Sequence, residues 1–277
     1  EWNLSRCLIT QEENVLNIVF HTINTILLEK INLSYNNLGR LSLGLPQGFG
    51  DAWTSLREIN LSNNKLTQIP QGFGDAWSSL RQIDLSYNQL TQIPQGFGDA
   101  WSSLRKIDLS TNQLTQLPQG FGDAWTSLRE IHLYYKGLTQ LPQDFGKTWE
   151  LLTEIRLYND QLTNLPQEFG DTWISLEKIV LLSPIPVHSN NLTQLPSEFG
   201  KKWKSLREIN LSEHELPPLP QGFGDTWISL EKIALYHNKL TNLPQGFGDT
   251  WTSLRQINLS ENELTNLPQG FGDTWTL

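Results

Sequence analysis

The chain contains no methionine, a single cysteine (Cys7), and no uninterrupted apolar run long enough to cross a bilayer, for which about 18 residues are needed. One cysteine cannot form an internal disulfide, so nothing in the fold draws on an oxidising compartment, and the sequence suits a reducing one. Cys7 is expected to be a small buried residue of an end cap rather than a nucleophile. No leader with a basic start and an apolar centre is visible. Basic residues are also in deficit, 20 Lys and Arg against 29 Asp and Glu, for a net charge of −9. That balance argues against a nucleic-acid backbone as partner. With no methionine, and with an end at Leu277 inside a turn that recurs throughout, the sequence reads as a piece of a longer protein.

What is abundant is repetition. Leu56, Leu80, Leu104, Leu128, Leu152 and Leu176 fall 24 residues apart; a step of 30 reaches Leu206, and two more of 24 reach Leu230 and Leu254. An earlier copy starts at Leu28. Trp53, Trp77, Trp101, Trp125, Trp149, Trp173, Trp203, Trp227, Trp251 and Trp275 form a second marker column, and a Phe column from Phe49 to Phe271 runs beside it. A period of this size signals a solenoid, in which no unit can bury its own apolar edge and neighbours must stack.

One unit, Leu80 to Ser103, shows the physics. In LRQIDLSYN, Ile83 and Leu85 lie two apart and share one face of an extended strand, while Gln82, Asp84 and Ser86 point the other way. Asn88 supplies an amide that both donates and accepts at the corner where the chain leaves the strand. Ile93-Pro94 is held extended, Gly96-Phe97-Gly98 turns the chain, and Asp99 is placed to cap a single helical turn over residues 100–103. Burying one indole removes about 150–250 Å² from water, worth roughly 4–6 kcal/mol before entropy. The aromatic columns are therefore core, not a cofactor box. The Gly-Phe-Gly turns follow a proline rather than a strand and make no phosphate loop.

The pattern LxxIxLSxNxLTxLPxGF resembles the leucine-rich repeat family, in its longer class of repeat. The resemblance covers ten repeats, residues 28–277, and implies an α/β solenoid: a horseshoe with a parallel β-sheet on its concave face and short helices or turns on its convex face. One departure stands out. The family usually carries Phe two residues later, with Leu where this chain has Trp, so the outer wall should follow a familiar path with unfamiliar packing. The resemblance also implies a protein-binding role through the concave face. Extracellular receptors of the family close their ends with disulfide-rich caps, which one cysteine cannot provide. Cys-poor arrays of nearly identical repeats are similar to those of bacterial effectors delivered into host cells, and imply a cytosolic place of action, including a host cytoplasm.

Residues 1–27 do not repeat. Thr10 with Glu13 makes a capping box, and Val15, Ile18, Val19 and Thr22 follow helical spacing, predicting a helical cap over 11–25. Such a cap would cover the open end of the solenoid. The first repeat carries four additional residues near Gly39–Gly44.

A surface that fits one partner should not be uniform, so the irregular repeats are the candidates. The Leu128 repeat presents His132, Tyr134 and Tyr135, with Lys136 in the Asn position. The next presents Arg156 and Tyr158, with Asp160 in that position. The Leu176 repeat has Val180 and Leu182 on its strand and about six added residues, Ser183–His188, including Ile185 with no core position to fill. His214 replaces the ladder Asn in the Leu206 repeat, between Glu213 and Glu215, and Tyr236 follows beside His237. Tyr and Arg commonly anchor interfaces, and clustered exposed apolar groups need a reason. The partner-binding candidates are thus His132, Tyr134, Tyr135, Arg156, Tyr158, Asp160, Leu182, Ile185, His214 and Tyr236.

No catalytic role is expected. His132, Arg156 and Asp160 could approach across neighbouring strands, but no Ser or Cys nucleophile accompanies them and a flat sheet excludes little water. His188, His214 and His237 match no closed metal site, and neither metal nor cofactor is expected. The reading is a protein-interaction module with an unidentified protein partner, or else a targeting or autoinhibitory arm of an enzyme whose catalytic domain lies elsewhere.

Overall fold

The computed structural model describes residues 1–7, 27–40, 45–135, 137–159, 161–182 and 192–275. The cap expected over 11–25, most of the addition to the first repeat, the insert with Ile185, and Asp160 lie outside the described residues, as does the side chain of Tyr135. The chain forms two compact units, Glu1–Lys136 and Gly137–Leu277.

The first unit stacks six parallel strands in chain order: β1 (Trp2–Asn3), β2 (Lys30–Asn32), β3 (Glu58–Asn60), β4 (Gln82–Asp84), β5 (Lys106–Asp108) and β6 (Glu130–Tyr135). The register sets Ile31, Ile59, Ile83, Ile107 and Ile131 side by side, all buried. The second unit repeats the arrangement with β7 (Glu154–Asn159), β8 (Lys178–Leu182), β9 (Glu208–Asn210), β10 (Lys232–Ala234) and β11 (Gln256–Asn258). Each unit is a parallel-sheet solenoid, in which a strand covers its neighbour's apolar edge.

Residues 1–7 depart from expectation, because they take the geometry of a repeat. Trp2 pairs with Ile31 and Asn3 with Asn32. The Asn3 side chain accepts the amide of Ser5, as Asn32 does for Ser34. Trp2-Asn3-Leu4-Ser5-Arg6-Cys7 is the end of a strand motif in which Cys7 holds the Asn position. Cys7 is exposed, not buried, with its thiol 3.6 Å from the Ser5 carbonyl.

The expected helical turns are also absent among the described residues, where the only helix is a 3₁₀ turn at Leu38–Arg40. The far side of each unit is a chain of tight turns instead. The amides of Phe97, Asp99, Trp101 and Leu104 donate to the carbonyls of Pro94, Gly96, Gly98 and Trp101. Gly96 and Gly98 sit at φ of +80° and +79°, which suits the third position of a type II turn and breaks any helix. Gly74 shows why the second glycine cannot change: an added Cβ would come within 2.7 Å of the Trp101 ring and 2.8 Å of Trp77.

That contact belongs to the aromatic wall of the core. Successive Trp rings stack nearly parallel at 6.1–6.3 Å. Each Phe meets the Trp of its own repeat edge-on, as Phe97 and Trp101 do at 4.8 Å. The indole N–H of Trp101 donates to the Gly74 carbonyl at 2.9 Å, and the link recurs at Trp77, Trp125, Trp173, Trp203, Trp227 and Trp251. The indole therefore does what a Leu in that position could not: it satisfies a buried polar group while filling the wall.

On the strand side, Asn88 donates to the carbonyls of Leu61 and Leu85, and its amide oxygen accepts the N–H groups of Asn64 and Leu66. Asn112, Asn238 and Asn262 repeat its donor links. One side chain thus settles several backbone groups that no ladder reaches.

Candidate functional site

Strand length varies with the residues at the strand's end. In LRQIDLSYN the fifth residue, Asp84, accepts the amide of Ser86 at 2.9 Å and draws the chain out of the sheet. Asn60, Asp108, Asn210 and Asn258 do the same for Ser62, Ser110, Ser212 and Ser260. The next residue then turns left-handed, as at Asn63, Tyr87, Thr111, Glu213 and Glu261. Ala234 lacks that oxygen yet β10 still stops at three residues, with Asn238 in place as the ninth. The Leu206 repeat has His214 as its ninth residue but keeps Asn210, and it too stays short. Only where both signals are missing, at His132/Lys136, Arg156/Asp160 and Val180/Pro184, do the strands run to six, six and five residues.

The longer strands change what the sheet presents. The seventh residue is a buried Ser at Ser34, Ser62, Ser86, Ser110 and Ser212. At Tyr134, Tyr158, Leu182 and Tyr236 it is a large, half-buried side chain.

In the first unit, His132 stands in line with Asp108 and Asp84. Its Nδ1 lies 3.4 Å from Asp108 Oδ2, and Nε2 approaches Glu130 at 2.9 Å, off the hydrogen-bond axis. Glu130 also takes Lys106 at 2.7 Å. The imidazole lies parallel to the Tyr134 ring at 6.0 Å. Burial pushes the Asp108 carboxyl upward, but hydrogen bonds from His132 and Ser110 outweigh it and hold the group below its ordinary value. Asp84, with no histidine beside it, is raised: burial outweighs the Ser86 bonds, and Asp108 adds to the rise.

In the second unit, register pairs Tyr158 with Leu182 and Arg156 with Val180. Arg156 Nε is engaged by Glu154. Val180 is buried, so the apolar surface narrows to Tyr158 and Leu182. Tyr236 lies apart, beside His237 and facing Glu261; burial first, and then the Glu261 hydrogen bond, raise its phenol.

His214 does not belong to this surface. It is 5 % exposed and stands inside the ladder, with Nε2 3.2 Å from the Leu181 carbonyl. Burial lowers its pKa to about 4, so the ring is neutral and donates through Nε2–H. An imidazole has one donor where the Asn amide has two, and Nδ1 is left without a hydrogen bond among the described residues.

The repeat geometry matches a known family. Leucine-rich repeat patterns match residues 54–114, 78–134 and 228–274. Over these residues the chain is built of leucine-rich repeats. Solved structures agree on the fold at low identity. The leucine-rich repeat domain of APL1B superposes with a TM-score of 0.65 at 21 % identity, over 89 % of this chain and 69 % of that one. Drosophila Toll, in a complex with Spatzle, gives 0.63 at 20 % over 87 % of this chain. A leucine-rich repeat protein of Leptospira interrogans gives 0.56 at 24 %, over 98 % of this chain and 81 % of that one. TLR13, in a complex with an RNA termed ssRNA13, gives 0.61 at 17 % over 91 % of this chain. This leucine-rich repeat chain spans 36 % of the Toll chain and 38 % of the TLR13 chain. A search of curated protein sequences finds no match.

Among the described residues no group of three His, Cys, Asp or Glu side chains could hold a metal ion, and no helix is long and apolar enough to cross a membrane.

Proposed function

We propose that this leucine-rich repeat chain is an interaction module whose irregular strands hold a protein partner. The observation that carries the reading is the pairing of Tyr158 with Leu182 on the two long strands β7 and β8, at a position where five other repeats keep a buried Ser. His132 and Tyr134 supply a similar edge on β6 of the first unit. Tyr and Leu side chains beside one engaged Arg suit an apolar patch with a polar rim, the usual anatomy of a protein interface.

Toll is seen with Spatzle and TLR13 with an RNA. For this chain the net charge of −9 favours a protein over a phosphate backbone. The cysteine usage supports action in a cytosol, including that of a host cell if the chain is a bacterial effector. In the second reading, suggested by the short span against Toll and TLR13, the solenoid is a targeting or autoinhibitory arm of a larger enzyme.

The test is capture of a partner by the wild-type chain and by Y158S/L182S, with melting temperatures measured in parallel. Loss of the captured protein with an unchanged melt supports the proposed face. Equal capture by both chains removes it.

A further inference from the structure

A second surface lies at the strand ends of the first unit, on the Leu28 repeat and the regular repeats that follow it. A cavity of about 500 Å³ opens there, lined by Tyr35, Asn37, Asn63, Lys65, Tyr87, Gln89 and Thr111, with the ladder residues Asn36 and Asn88 at its floor. Tyr35, Asn63, Tyr87 and Thr111 are equivalent residues of four consecutive repeats, each held left-handed with φ between +53° and +57°. That backbone favours Asn, as at Asn63. Tyrosine answers no backbone need, yet Tyr35 and Tyr87 occupy the position and stand 51 % and 59 % exposed.

We propose that this groove binds a neutral oligosaccharide. Two strand spacings separate the tyrosines, roughly 10 Å, about two sugar steps along an oligosaccharide, so the two rings can take the first and third sugars of a trisaccharide. The electron-rich face of an aromatic ring attracts the weakly positive C–H face of a pyranose. The Arg6 guanidinium covers one face of Tyr35 at 4.9 Å and is not part of the lining, which leaves the opposite side of the ring to the groove. Along the groove, the amides of Asn37, Asn63 and Gln89 and the Thr111 hydroxyl both donate and accept, as sugar hydroxyls require. Asn36 and Asn88 contribute little, because their amide groups are already committed to backbone atoms.

The same lining disfavours other ligands. It contains no carboxylate and a single cation, Lys65, too little charge for a nucleic acid held by its phosphates. It also contains no aliphatic side chain, so a peptide would find no apolar pocket for an anchor.

The experiment is saturation-transfer NMR on the full chain with cellotriose, chitotriose and maltotriose, alongside the uncharged peptide Gly-Gln-Gln-Gly. At least one trisaccharide should bind, and Y35A/Y87A should weaken it tenfold or more while the melting temperature holds, since both rings are exposed. Asn63→Ala gives a second, milder loss. The proposal is overturned if no trisaccharide binds, if binding survives Y35A/Y87A, or if only the peptide binds in a tyrosine-dependent way.

Discussion

A few single side chains hold this protein in its repeat geometry, and their replacement should register clearly. Trp101 fills the wall and donates to the Gly74 carbonyl, so Trp101→Ala should cost about 3–5 kcal/mol in denaturant unfolding. Gly74→Ala adds only a methyl, but at φ +77° and against two indoles. The backbone conformation alone costs roughly 1–3 kcal/mol, and the ring contact adds to that. His214 makes stability depend on pH. Its folded pKa of about 4 lies below the ordinary 6.5, so the unfolded chain takes up the proton first. The stabilisation is fully present above about pH 6.5 and is lost as pH falls toward 4, by up to roughly 3 kcal/mol. Melts at pH 7 and pH 4.5 should show a smaller acid loss for H214N, which restores the ladder amide, than for the wild type; equal losses would remove His214 as the source.

At the scale of the element, strand length follows a rule with two inputs. Either an oxygen-bearing fifth residue or an Asn at the ninth ends the strand after three residues; lacking both, it continues. The H132N/K136N chain should therefore shorten β6, with the backbone shifts of Tyr134 and Tyr135 moving from strand to turn values. Shifts that stay at strand values would break the rule. The sequence did mark these repeats as irregular, through their large residues and the lost ladder Asn, but not through the missing fifth-position oxygen that also lengthens the strand. It also hid the groove. Tyr87 lies in a regular repeat and Tyr35 in the lengthened first one, and neither differs enough from its neighbours in sequence to mark a site. His214 misled in the opposite direction: unusual by identity, it is buried by position, doing a weaker version of the Asn work.

For the whole molecule, the repeats act as interchangeable layers within each unit. Removing residues 80–103 from the first unit joins two coils that offer the same apolar columns and the same Asn and Trp links. The shortened chain should fold with unchanged spectroscopic character and a lower unfolding free energy, as expected when stability sums over neighbouring interfaces. Loss of cooperative folding would show that the layers are not equivalent.

The columns of Leu, Ile, Phe and Trp were legible by themselves, because an apolar residue returning every 24 positions can be buried only by its own copies. The solenoid, the inward face of each strand and the core role of the indoles all follow from that periodicity. The periodicity did not settle how the chain crosses the far wall, where left-handed glycines replace the expected helical turns. Nor did it show that Trp2–Cys7 closes the first coil, or which polar residues the ladder consumes and which it leaves on the surface. Those outcomes depend on where each backbone amide and carbonyl finds its partner: on the far wall three residues back, and on the strand side in the neighbouring coil, 22 to 33 residues away.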